Sequence, residues 1–156
     1  MTENTTNTAP VPYPAPAVWA ERLGTRQYLG RNEAGAEVKI GIGPGMFSPG
    51  ELLKLALATC HSLSADHRLA KALGEDFDAI VGCTTVKNDE EERYDSFTVE
   101  LCADYSSLTE EEREKLTERA QAAVDRHCTV GHTLSHGAQY VMKMMDDAGP
   151  KASEIA

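Results

Sequence analysis

Two short segments of the chain set a thiol beside an imidazole. In ATCHSLS, Cys60 is followed by His61; in DRHCTVGHTLSH, His127 precedes Cys128, and His132 and His136 follow it. A thiolate, unlike a thiol, is a nucleophile, and one oxidised to a sulfenic acid can be resolved by a second thiol as a disulfide. That chemistry needs a cation near the sulfur, a second cysteine and access. Where these are missing, a free cysteine is a small buried hydrophobe. Taken singly, Cys60 and Cys128 fit either description. Neighbouring residues on a helix splay apart, so His61 and His127 are not automatically bases for the cysteines they adjoin.

A metal centre is a rival use of the second segment. Cys128, His132 and His136 recur at four-residue spacing and would share one face if a helix ran unbroken through Gly131, an arrangement that suits metal ligands. No HExxH or CxxC pattern accompanies them. The acidic run NDEEER at 88–93 reads as a solvated hairpin tip, because consecutive carboxylates on a turn mainly repel and hydrate. Cys83 and Cys102 fall on strand-like segments and receive no role.

The elements that must position these residues can be read from pattern. Ser48 stands where an N-cap would, Pro49 at the first helical position, and Glu51 in the first turn, where it complements the helix dipole. The apolar residues that follow, from Leu52 through Cys60 and Leu63 to Leu73, wrap most of the circumference, which predicts a central, largely buried helix ending near Gly74. Cys60 would lie about three turns inside it. A thiol in mid-helix gains little from the dipole, so its cation must come from elsewhere.

Before this helix, a strand-like segment from Val18, RQYLG at 26–30, a turn at 31–35 and the alternation of Val38, Ile40 and Ile42 predict a hairpin. After it, 76–88 and 95–106 read as antiparallel strands, with Phe97, Val99, Leu101 and Ala103 on one face of the second. Thr109 with Glu112 three residues on forms a capping-box signature for a second helix through RHCTVGHTL, with a break expected at Gly131. A last strand is expected at 138–145. Strands, buried helix, strand pair, helix and strand make the class α+β. If the two helices pack together, Cys60 and Cys128 could come within disulfide reach, which requires Cα atoms closer than about 7 Å.

Length and composition restrict the function. The chain's 156 residues, 41% hydrophobic, suit one domain with a sizeable core. Residues 1–16, rich in Thr, Asn, Pro and Ala, read as a flexible arm, 17–148 as the single domain, and 149–156 as a tail. A net charge of −10, from 25 acidic and 15 basic residues, would repel nucleic acid and anionic membrane surfaces. Lys54 interrupts the best apolar run, and Asp66, His67 and Arg68 follow it, so no stretch reaches the roughly 20 residues of a membrane span. The N-terminus has neither the basic region nor the apolar core of a secretory signal, so a cytoplasmic location is expected. In a reducing compartment four cysteines argue for transient redox chemistry over a structural disulfide framework.

With SPGELLKLALATC around Cys60, RHCTVGHTL around Cys128 and this order of elements between them, the chain resembles the OsmC/Ohr family of thiol-dependent peroxidases over about residues 17–145. The resemblance implies an intertwined homodimer in which antiparallel sheets wrap central helices, with sites at the subunit interface. It implies that Cys60 attacks the O–O bond of an organic hydroperoxide and becomes a sulfenic acid, and that Cys128 condenses with it to a disulfide. A dithiol reductant, lipoyl or other, then reopens that bond. No cofactor or metal is implied. An arginine of the N-terminal hairpin, matched by Arg26, with Arg22 and Arg31 nearby, would stabilise the thiolate. Arginine suits the task because its charge does not titrate away and its donors can serve thiolate and carboxylate together.

The family pattern also has a glutamate directly after the proline to orient that arginine. This chain holds Gly50 there, and Glu51 comes one residue later, about 100° around the helix. With the YLG hairpin, this makes the chain resemble a divergent OsmC-like branch. One reading is therefore a peroxidase using Cys60, Cys128, Arg26 and Glu51. The other is a dimer of the same fold that binds a small apolar or electrophilic molecule without peroxide turnover.

Overall fold

The structure, a computed structural model, describes residues 18–144. The arm expected at residues 1–16 and the tail expected at 149–156 lie outside that range. Two compact units are present, and each is described by itself: one includes the chain up to Pro49, the other runs from Gly50 to Tyr140.

In the first unit, β1 (Val18–Gly24), β2 (Gln27–Asn32) and β3 (Glu37–Gly41) form an antiparallel sheet in that order. The β1–β2 turn is Thr25-Arg26, with Gly24 paired to Gln27 and Arg26 in the left-handed region at φ 57°. Its carbonyl accepts a hydrogen bond from Ile42 N–H at 3.1 Å. Gly41 makes this closure possible: its φ is 141°, and a Cβ there would come within 2.1 Å of the Arg26 carbonyl oxygen. The turn expected between Asn32 and Gly35 forms, with the Asn32 side-chain oxygen accepting from Ala36 N–H at 2.9 Å. Glu21 and Glu37 flank Arg31 as ion-pair partners.

The second unit is built on α1 (Pro49–Leu73), which begins and ends where the Ser-Pro and Gly74 signals place it. β4 (Ala79–Asn88) and β5 (Arg93–Ala103) form a two-stranded antiparallel sheet, in register from Ala79↔Ala103 to Asn88↔Arg93. The acidic tip folds as a turn: the Asn88 side-chain oxygen accepts from Glu90 and Glu91 N–H, each at 3.1 Å. α2 (Glu110–His127) opens with the expected capping box, Glu112 N–H donating to Thr109 Oγ1 at 3.2 Å and Thr109 N–H to Glu112 Oε2 at 2.8 Å. Ala65 and Leu69 of α1 and Leu116 of α2 are buried together, with Phe77, Leu101 and Val124 packed around them. This α+β core fixes α1 against α2 and β5.

Three expectations need correction. The helix expected to break at Gly131 breaks at Cys128, whose extended backbone (φ −78°, ψ 90°) ends α2 and precedes α3 (Thr129–His136). Residues 138–144 form no strand; they are exposed, and no strand edge pairs with them among the described residues. α1 is also less buried than its composition suggests. Leu57, Ala58, Ala65, Leu69 and Ala70 are buried, but Leu55 is 41% and Leu63 77% exposed, as are Ile80 (77%) and Val86 (59%) of β4. Among the described residues no helix is long and apolar enough to cross a membrane.

Candidate functional site

The second unit brings the two cysteine segments together. Cys60 is half-buried on α1, whereas the side chain of Cys128 is fully enclosed at the joint between α2 and α3, and both are free thiols. Cys60 acts on the buried thiol, helping to raise the pKa of Cys128.

Cys128 is held from several sides. Its backbone N–H donates to the Val124 carbonyl at 2.9 Å and closes α2, while its Sγ accepts from Gly131 N–H at 3.3 Å and caps α3. Gly131 is glycine for a packing reason: a Cβ there would sit 3.1 Å from Cys128 Sγ and 3.6 Å from His61 Cε1. The glycine that looked like a helix breaker is what lets a helix turn close over the sulfur. Burial pushes the Cys128 thiol up; the hydrogen bond from Gly131 N–H opposes that shift, and the Cys60 thiol adds to it. An enclosed thiol stays protonated because its charged form loses hydration.

His61 crosses to the other cysteine. Its Nδ1 lies 3.4 Å from Cys128 Sγ and 3.2 Å from the carbonyl oxygen of Leu57, one turn back on α1. Beside it opens a cavity of about 330 Å³, lined by His61, Leu69, Leu101, Tyr105, Arg113 and Val124 among others. Its walls are mainly aliphatic, and its cation, Arg113, lies over the Tyr105 ring at 5.2 Å.

The remaining candidates fall elsewhere. His132 Nε2 is 2.7 Å from the Asp125 carbonyl, and His136 Nδ1 is 2.9 Å from that of His132. The break at Cys128 removes the continuous helical face on which a metal reading depended. Among the described residues no group of three His, Cys, Asp or Glu side chains could hold a metal ion. Arg26 occupies the β1–β2 turn of the first unit. Glu51 lies in the first turn of α1. Cys102 is exposed; Cys83 is half-buried, its pKa raised by burial and lowered in part by Lys54.

Comparison with known sequences matches residues 43–143, which contain both cysteines, to the family described as OsmC-like protein. The chain belongs to the OsmC-like family. An uncharacterized protein of Mycobacterium tuberculosis is 41% identical over 131 residues, 83% of this chain and 96% of that protein. Among solved structures, a hypothetical protein from Aquifex aeolicus aligns at a TM-score of 0.60 with 17% identity, covering 78% of this chain and 87% of the other. An OsmC-like protein of unknown function from Vibrio cholerae aligns at 0.50 with 12% identity, covering 70% and 79%. At these identities the two structures speak to the fold alone. The OsmC/Ohr family includes hydroperoxide-reducing enzymes.

This OsmC-like chain has a physical reason for Gly50. The phenol of Tyr94, on β5, covers the start of α1 so closely that a Cβ at position 50 would stand 2.1 Å from its hydroxyl oxygen. The same ring receives the Lys54 ammonium at 5.3 Å and the edge of Phe97 at 5.5 Å between centroids. Sequence reasoning saw the missing carboxylate and missed the tyrosine that fills its space. The signal was there only as a lone aromatic at the end of the acidic hairpin tip.

Proposed function

We propose that this chain is a cysteine-dependent peroxidase that reduces organic hydroperoxides. The Cys60 thiolate attacks the O–O bond, an alcohol leaves, and a sulfenic acid remains on Cys60. Cys128 condenses with it to a Cys60–Cys128 disulfide with loss of water, and a dithiol reductant restores both thiols. Arg26 is the candidate cation for the Cys60 thiolate, and Glu51 the candidate carboxylate to orient it. The protein works as a homodimer. The exposed Leu55 and Leu63, one helical face of α1 at eight-residue spacing, support that assembly as a surface for a second copy.

The observation that carries this reading is that the Cys60 segment of α1 packs against Cys128: His61, next in the chain to Cys60, has its Nδ1 3.4 Å from Cys128 Sγ, although the two cysteines are 68 positions apart in sequence. The test treats reduced protein with one equivalent of cumene hydroperoxide, maps its thiols by mass spectrometry and repeats the cycle with a dithiol. A Cys60–Cys128 disulfide that forms and turns over is expected. Thiols that stay reduced would sink the reading.

A second reading has its own observation. With Tyr94 packed over Gly50, a side chain at that position would have to displace the phenol, and the apolar cavity beside His61 suits a small apolar ligand. On this reading the dimer binds such a molecule, or an electrophile captured by the thiols, without peroxide turnover. Saturable binding of a small aromatic ligand by protein inert to peroxide would favour it.

A further inference from the structure

We propose that the cleft between the C-terminal half of α1 and the N-terminal half of α2 is a binding site for a small molecule that carries two linked phosphate groups. The site lies apart from the cysteines, and its test does not depend on their chemistry.

The cleft has a volume of about 320 Å³ and is lined by four cations, Arg68 and Lys71 of α1 and Lys115 and Arg119 of α2, against one carboxylate, Glu112. That carboxylate is already committed, its Oε2 accepting the Thr109 N–H at 2.8 Å in the capping box. In a chain with 25 acidic and 15 basic residues, such a gathering of one sign departs from the rest of the molecule. Three residues apart on α1 and four apart on α2, the members of each pair share a helix face, where like charges repel.

Local structure accounts for only part of this cluster. Lys71 stands in the last turn of α1, where it complements the dipole, and Lys115 forms an ion pair with Glu111. Arg68 and Arg119 have neither use. Both lie inside their helices, and neither has a carboxylate three or four residues away. Among the described residues no ion pair engages Arg68, Lys71 or Arg119. An anion from outside relieves a repulsion that the chain itself leaves in place.

The cations also select the ligand. Arginine presents a planar fork of donors that matches phosphate oxygens two at a time, and lysine adds a compact point charge. Cations supplied from two sides of a cleft suit a group with oxygens on two centres better than a single phosphate or carboxylate. Ala72, Leu108 and the buried Leu116 complete the wall, and apolar surroundings strengthen attraction between charges. The acidic remainder of the surface repels a long polyanion, but a small one meets only the cleft, because exposed charges beyond a Debye length of about 8 Å are screened.

Arg68 comes eight residues after Cys60, about 12 Å along α1. The occupant would therefore stand clear of the sulfur. It would also bridge α1 and α2, the two helices that bury Leu69 against Leu116 in the core, and so add to the stability of the fold.

The experiment is titration calorimetry of the full chain with pyrophosphate, without divalent cations, at low and at physiological salt, beside inorganic phosphate and citrate. Pyrophosphate is expected to saturate a single class of site, about tenfold or more tighter than either comparator, and to weaken as salt rises. R68Q/R119Q should weaken it by roughly tenfold or more, while K39Q/K87Q, which removes two positive charges away from the cleft, should bind as wild type does. Pyrophosphate at about ten times its dissociation constant should raise the melting temperature of wild type by roughly 3–6 °C and leave that of R68Q/R119Q unmoved. No saturation at millimolar pyrophosphate, equal affinity for citrate, or equal losses in the two double variants would overturn the proposal. Melts without ligand identify a folding failure in R68Q/R119Q, and K71Q then carries the same test.

Discussion

The hydroxyl oxygen of Tyr94 occupies the space that a Cβ on Gly50 would need, 2.1 Å from its ideal position. The start of α1 and the start of β5 are thus fitted to each other through one glycine and one phenol. Ordinarily alanine is preferred over glycine in a helix by up to about 1 kcal/mol; here overpacking reverses the preference. Gly50→Ala is expected to destabilise by about 1–3 kcal/mol, and by less in a Tyr94→Phe background, where the nearest ring carbon, Cζ, is 3.2 Å away. Urea denaturation of the four proteins of this cycle gives the coupling, and additive costs would contradict the fit.

The cysteines should fail in different ways. Cys60→Ser is expected to reduce peroxide consumption to the background of thiols in solution. Cys128→Ser should still oxidise at Cys60 but, lacking a resolving thiol, proceed to sulfinic acid within a few turnovers. Intact-mass spectra after graded peroxide separate the outcomes by added oxygen atoms, and a Cys128→Ser protein that cycles normally would remove Cys128 from the reaction.

Much of this was legible in the sequence because the signals were local. Ser48-Pro49, Gly74 and the Thr109–Glu112 box mark helix ends through contacts a few residues long, and the alternation from Phe97 to Ala103 reports one sheet face directly. The pairing of His61 was not legible. A cysteine and the histidine after it are neighbours in the chain, yet the ring reaches the other cysteine, 67 residues on. Only the packing of α1 against the α2–α3 joint decides that. Gly131 was visible as a signal and misread as to cause, since close approach to a sulfur and helix breaking both call for glycine. The residues at 138–144 look like a strand because apolar β-formers abound there, but a strand also needs an edge to pair with.

Alkaline pH should weaken the reduced protein. Burial raises the thiol pKa of both Cys128 and Cys83, so the folded state holds protons that the unfolded state releases. Stability from these groups is complete below the unfolded thiol value of about 8.5 and is lost as pH rises through the higher folded values. Tyr105, raised mainly by its own burial, acts in the same direction at still higher pH. Denaturation midpoints from pH 7 to 10.5 should fall for wild type and fall less for a Cys83→Ala/Cys128→Ala protein; parallel curves would contradict the assignment.

The exposed apolar face of α1 gives a test of assembly. Leu63 is 77% exposed in the single chain, so placing a charge there costs that chain little, whereas burying the charge without a partner in a subunit interface costs several kcal/mol. Leu63→Asp should leave far-UV circular dichroism unchanged and convert a dimer to monomer in light scattering at micromolar concentration. A variant that stays dimeric would place the interface elsewhere.

The sulfur of Cys128 also closes the first turn of α3, accepting the Gly131 N–H. In a disulfide the torsion that places this sulfur is fixed by the new bond and is no longer free to follow the amide. Forming the bond therefore slackens the clasp that begins a helix of eight residues, too short to hold itself closed unaided. The oxidation state of one atom becomes a mechanical instruction to a surface element. Hydrogen exchange at the Gly131 amide, faster in the disulfide form than in the reduced one, would read it as a local gauge of peroxide exposure.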